Sequence, residues 1–134
     1  MTVSEVCVAA AIVTATLAIA SPSFIHAHQT YVLNSTARAV AGSMHTARIL
    51  AVTRNADCRV AVPSAAMLSI ECQQEHWRQI EATSLPHGMV LTANAKPTFH
   101  ARGNVSPAGT LTVCNRFNRC LRVIVNVSGR VRIQ

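Results

Sequence analysis

Glu5-Val6-Cys7-Val8-Ala9-Ala10-Ala11-Ile12-Val13, continuing uncharged to Ile25, is the stretch on which the fold turns. Val6 to Ile25 makes 20 consecutive residues without a formal charge, about the length a helix needs to cross a hydrocarbon core. A helix satisfies its own backbone polar groups in lipid, and an alanine-rich one packs closely against other helices. The stretch therefore reads as a membrane anchor that is also an assembly surface. Two residues are out of place in a plain anchor. Glu5 puts a carboxylate at the membrane entry, and Pro22 removes a helical hydrogen bond and is expected to kink the helix where it leaves the bilayer. The competing reading is a secretory signal peptide cleaved near the small residues Ala18, Ala20 or Ala27. Against it, the segment before the apolar run has no Lys or Arg and carries an acid instead.

Beyond the anchor, roughly 100 residues remain, enough for one small domain. The sequence divides at residue 28: 1–28 is the transmembrane and assembly helix, and 29–134 is the external domain. All 12 basic residues lie beyond residue 30, opposed by Asp57, Glu71, Glu75 and Glu81, so the external part carries +8. Its natural partners are anions: nucleic acid, anionic lipid or an acidic protein. Eleven of the 12 are Arg, the residue that binds phosphate in a bidentate fork and stacks on bases.

Cys7 lies in the apolar run and reads as a small hydrophobe. The other four cysteines fall into close pairs, Cys58 with Cys72 and Cys114 with Cys120, neither with the CxxC spacing of a zinc site. Three connectivities are open to four cysteines. The local one is favoured because each pair brackets a hairpin, and each disulfide would be worth about 2 to 3 kcal/mol by loop entropy. Disulfides imply an oxidising compartment such as the periplasm or cell exterior.

From Gln29 to Arg54 the positions Leu33, Ala37, Val40, Met44, Ala47 and Ala51 alternate in steps of four and three, the stripe of an amphipathic helix, with Arg38, His45 and Arg48 off it. The helix over 29–54 is expected to continue the membrane helix past Pro22, for about 50 residues in all, and to pack its stripe on a sheet. Asn55-Ala56-Asp57 ends it. From 58 to 134 the period changes to two. Strands are expected at 59–62, 67–72, within 73–81 around Trp77, and at 89–92, 98–101, 111–114, 121–127 and 130–133, with turns at Pro86-His87-Gly88, Ser106-Pro107-Ala108-Gly109 and Ser128-Gly129. The fold class is α+β: one long N-terminal helix, then a mostly antiparallel sheet.

The C-terminal strand Gly129-Arg130-Val131-Arg132-Ile133 carries the functional signal. A period of two puts Arg130 and Arg132 on one face and Val131 and Ile133 on the other. Two guanidinium groups about 7 Å apart match successive phosphates along an extended nucleic-acid strand. Arg122 is expected across the same sheet, and Arg116 and Arg119 lie in the loop between Cys114 and Cys120, so that together they form a stripe tracking a phosphate backbone. The competing reading is arginine protecting an exposed sheet edge. Catalysis has no support: His26, His28 and His45 are scattered, and no HExxH, GxGxxG or phosphate-binding loop occurs. No enzyme activity, cofactor or metal is expected.

The beginning of the chain, with Glu at position 5 and Pro at position 22, resembles mature type IV pilins and pseudopilins. Thr46-Ala47-Arg48 with Ala51-Val52-Thr53-Arg54-Asn55, then Phe99 with Arg102-Gly103 and Pro107-Ala108-Gly109-Thr110-Leu111-Thr112-Val113-Cys114, and finally Val123-Ile124-Val125 with Gly129-Arg130-Val131-Arg132, resemble the GspH/FimT family of pseudopilins. The resemblance implies a pilin-like fold and Met1 as the first residue of a mature subunit, its leader removed by prepilin peptidase and its amine methylated. It also implies that Glu5 contacts the N-terminal amine of an adjacent subunit. In FimT-like members a C-terminal Gly-Arg-x-Arg motif is implicated in DNA binding during natural transformation, which assigns that role to Gly129, Arg130 and Arg132. Arg122, Arg116 and Arg119 are added from their position alone. The expected function is that of a minor pilin or pseudopilin capturing DNA through its C-terminal arginine strand. It would be held in the inner membrane by one span, with its domain in the periplasm, and join a pilus or pseudopilus on assembly. The expected partners are other pilin subunits, DNA phosphates, inner-membrane lipid and the peptidase. The alternative is a structural pseudopilin of type II secretion, or a pilus subunit, with no DNA-binding role.

Overall fold

The computed structural model describes residues 2–134; Met1, expected to take part in assembly, lies outside them. The chain forms two compact units, one up to Tyr31 and one from Val32 to Gln134.

The first unit is helical and belongs to α1 (Val3–Arg54). Its start is fixed by Thr2-Val3-Ser4-Glu5. The Glu5 and Val6 amides bond the Thr2 carbonyl, and the Thr2 amide donates to Glu5 Oε2 at 2.8 Å. The Glu5 carboxylate thus reaches back one turn to satisfy a backbone donor, as in a capping box. Through the apolar stretch the hydroxyls of Thr14, Thr16 and Ser21 donate back to carbonyls one turn earlier, on Ala10, Ile12 and Leu17. These three hydroxyls are therefore satisfied within the helix, as a lipid environment requires. The helix is not interrupted at Pro22: proline deletes one amide donor, while its neighbours keep theirs. The helix is long and apolar enough to cross a membrane, and none of its most apolar window is buried. Cys7 is unpaired and exposed.

In the second unit the stripe read from the sequence faces inward: Leu33, Ala37, Val40, Met44, Ala47 and Ala51 are all buried. Thr36 joins them, its hydroxyl donating to the Val32 carbonyl at 2.7 Å. The helix ends in a Schellman motif. Asn55 takes the left-handed conformation (φ 50°) while the Ala56 amide reaches the Ala51 carbonyl and the Asn55 amide the Val52 carbonyl.

The strands make two four-stranded sheets rather than the single sheet expected. The first, in the order β3-β2-β1-β5, contains β1 (Cys58–Ser64), β2 (Met67–Gln73), β3 (Trp77–Ser84) and β5 (Thr98–Phe99). The second, in the order β4-β6-β7-β8, contains β4 (Val90–Ala93), β6 (Gly109–Cys114), β7 (Cys120–Val125) and β8 (Val131–Ile133). Every pairing is antiparallel. The split arises because β5 returns to β1, Cys58 facing Phe99, whereas β4 goes forward to β6. The β5 strand stops at Phe99 because His100 to Asn104 form a turn, with His100 and Gly103 bonded across it.

Phe99, Leu68, Ile70, Leu91, Leu111, Val113 and Val123 close over the helix stripe as one apolar core. Three of the six stripe residues are alanine, which lets the helix axis come close to the strands. Cys58 and Cys72 face each other across β1 and β2 and are bonded; so are Cys114 and Cys120 across β6 and β7.

Candidate nucleic-acid interface

Register decides which arginines share a face. In β7, Val123 and Val125 are buried and stand opposite Ile133 and Val131, so these four point to the core side. The alternate positions point outward. Arg132 lies opposite Ile124, and Arg122 pairs with Gln134 through two backbone hydrogen bonds of 2.7 and 2.8 Å. Arg122 and Arg132 are thus diagonal neighbours on the outer face, with Cβ atoms about 7 Å apart. Arg130, two residues before Arg132, falls on the same side, and all three are exposed. The row continues across the sheet as Arg122, Thr112 and Thr92, which face one another in register.

The electrostatic setting of this face is one-signed. The last acid in the sequence is Glu81; residues 82–134 hold Lys96, Arg102, Arg116, Arg119, Arg122, Arg130 and Arg132 and no Asp or Glu. The second sheet lies entirely in that segment. In the first sheet, by contrast, Arg59 Nε lies 2.6 Å from Glu71 Oε2 and the guanidinium sits 4.1 Å over the Trp77 ring. Arg59 is already engaged, whereas the strands of the second sheet carry no Asp or Glu side chain.

Arg116 and Arg119 do not join the stripe expected of them. They occupy the β6–β7 turn just before Cys120, with Arg119 three residues, about 10 Å along the strand, from Arg122. By alternation Arg119 belongs with Leu121 and Val123 rather than with Arg122. Arg116 lies over the Phe117 ring at 5.2 Å. The register therefore puts Arg122 and Arg132 on one face of the sheet, while alternation puts Arg119 on the other.

Gly129 offers a ligand nothing directly, because it is buried. Its place is structural. The Asn126 carbonyl accepts from the Gly129 amide at 2.8 Å and the Asn126 amide donates to the Arg130 carbonyl at 3.0 Å, closing a three-residue hairpin loop with Gly129 at φ 77°. Packed against it is the similar turn His100 to Asn104, with Gly103 at φ 83°. The Val105 amide donates to the Val127 carbonyl at 2.8 Å, joining the two turns. Arg48, off the helix stripe as expected, is half-buried against both, and its Nη1 donates to the Gly129 carbonyl at 3.3 Å. Arg48, and Arg102 beside Gly103 in sequence, take no part in the local reading. The signal is present in the sequence: each falls in one of the blocks that carry the family resemblance, and the three blocks meet here.

Elsewhere, an apolar groove of about 210 Å³ runs between the helix and β2–β3, lined by residues including Thr36, Val40, Leu68 and Leu85.

No curated protein matches the chain. Among solved structures, the minor pseudopilin EpsH of the Type 2 Secretion System of Vibrio cholerae superposes with a TM-score of 0.66 at 15% identity, over 76% of this chain and 95% of that one. The type IV minor pilin FimU of Pseudomonas aeruginosa PAO1 superposes with a TM-score of 0.63 at 18% identity, over 76% of this chain and 87% of that one. At these identities the likeness is one of fold. Sequence goes further, because the family described as Type II transport protein GspH matches residues 36–129, from the helix stripe to the β7–β8 turn, and the chain belongs to that GspH/FimT family of type IV pilin-like proteins.

Proposed function

We propose that this chain is a minor pilin or pseudopilin that captures DNA, largely without regard to sequence, on the outer face of its second sheet. Arg130, Arg132 and Arg122 contact phosphates, Arg116 and Arg119 make secondary contacts at the far end, and Gly129 shapes the turn. Residues 1–28 serve as the inner-membrane span and the assembly helix, with Glu5 meeting a neighbouring subunit's amine. The domain from residue 29 lies in the periplasm, and filament retraction draws DNA inward in natural transformation. The observation that supports the reading is three exposed arginines, with Arg122 and Arg132 diagonal neighbours across β7 and β8 and Arg130 just before β8, on a sheet without an Asp or Glu. Phosphate contacts of this kind give affinity without sequence discrimination. The processing step by prepilin peptidase and the contact with lipid before assembly belong to the same proposal.

A second reading has its own support. The chain shares its fold with a secretion pseudopilin as well as with a pilus subunit, and a structural subunit of either system would use the basic face against neighbouring subunits. Binding of double-stranded DNA by the full chain in detergent separates the two. DNA capture predicts that Arg130→Ala with Arg132→Ala weakens binding at least about tenfold more than Arg38→Ala with Arg78→Ala, two exposed arginines off this face. Equal losses in the two pairs, or no binding by the unaltered chain, would favour the structural subunit.

A further inference from the structure

We infer that Arg48 is a positioning residue of the arginine face, acting through the 129–130 peptide; the inference rests on the DNA-binding reading above. The β7–β8 turn is held from several directions. Val127 is bonded by Val105. The α-carbon of Gly129 lies so close to the Gly103 carbonyl that a Cβ there would stand 2.5 Å from it. On a further side is the Arg48 guanidinium, which would lie 3.1 Å from that Cβ at Cζ and Nε, and 3.3 Å from a Cβ on Gly103 at Nε and Nη2. The flat guanidinium thus fits against two glycines, where side chains would exclude it, and donates to the Gly129 carbonyl.

That carbonyl belongs to the same rigid peptide plane as the Arg130 amide. Fixing it fixes the direction in which Arg130 leaves the turn, and through the β8 ladder the start of the strand carrying Arg132. A turn held before the ligand arrives loses less freedom on binding, which is the advantage of preorganisation. Arg48 is a poor phosphate ligand itself, since it is half-buried and would have to leave the Gly129 carbonyl to reach out. Its planar fork is also what lysine lacks: an ammonium on a flexible stem keeps the charge but neither stacks on the two α-carbons nor holds a fixed plane.

The test uses the full chain in detergent with Arg48→Lys, Arg130→Ala/Arg132→Ala and the three changes combined, read by affinity for a short DNA duplex and by amide hydrogen exchange. Positioning predicts that Arg48→Lys, which keeps the charge, weakens DNA binding by roughly fivefold and adds nothing in the background lacking Arg130 and Arg132, the non-additivity of residues acting through one another. Exchange should quicken at Gly129 to Arg132 while the amides of β6 and of the α1 stripe stay protected. Wild-type affinity in Arg48→Lys, or an equal loss in both backgrounds, overturns the inference, as does faster exchange spread over the whole domain. If the unaltered chain binds no DNA yet Arg48→Lys loosens only this turn, the positioning stands and the DNA-binding reading falls.

Discussion

The two turns that bound β7 are built alike and used differently. In Asn115 to Arg119 the Asn118 amide donates to the Asn115 carbonyl at 3.1 Å and the Asn115 amide to the Arg119 carbonyl at 2.9 Å. Asn126 to Arg130 repeats both bonds at 2.8 and 3.0 Å. The fourth residue is left-handed in each, Asn118 at φ 56° and Gly129 at φ 77°. Asparagine therefore suffices for the conformation, as its tolerance of that region allows. What demands glycine at 129 is packing: the Gly103 carbonyl and the Arg48 guanidinium leave no room for a Cβ. The first turn projects from the domain and is closed by the Cys114–Cys120 disulfide; the second is docked against the helix and another loop. The same local chemistry thus gives a tethered tip in one place and a fixed platform for arginines in the other.

That contrast can be broken by exchanging the residues on which it rests. Gly129→Asn copies the first turn into the second and should cost about 3 kcal/mol in urea unfolding, the upper range for overpacking. A loss under about 1 kcal/mol, the lower end of that range, would show that the docking is loose. Replacing Cys114 and Cys120 together by Ser should cost about 2 kcal/mol, the entropy of a short closed loop, and leave exchange at Gly129 unchanged. Asn115→Ala should cost about 1 kcal/mol, because its Oδ1 accepts from the Phe117 and Arg119 amides at 3.0 Å each. Asn118→Gly should change stability by less than about 0.5 kcal/mol, since glycine adopts the same φ and no packing depends on the side chain.

Much of this architecture is legible from periodicity. The steps of four and three in Leu33 to Ala51 name six residues that are all buried. Alternation in the last strand puts Arg132 on the side opposite to Val131 and Ile133, and the register has Arg132 facing Ile124 while Val131 and Ile133 face the buried Val125 and Val123. The capping box is also in plain sight as Thr2-x-x-Glu5, masked only because the family resemblance directs Glu5 toward another subunit. What local pattern lacks is long-range pairing. Periodicity tells how far Arg48 lies from the stripe but not that a turn 81 residues later covers it. Nor does it say that β5 joins β1 while β4 joins β6, which is why the pattern suggests one sheet where there are two. Nearness in sequence groups Arg119 with Arg122, whereas strand alternation turns the two to opposite faces.

The most direct test of the central claim, that Arg122, Arg130 and Arg132 act as one phosphate-binding face, is the salt dependence of duplex binding by the full chain and by the variant with all three changed to Ala. Removing one phosphate-binding arginine should flatten the slope of log affinity against log salt by about 0.9, so the triple variant should show a slope shallower by roughly 2.7. An unchanged slope in that variant would contradict the claim.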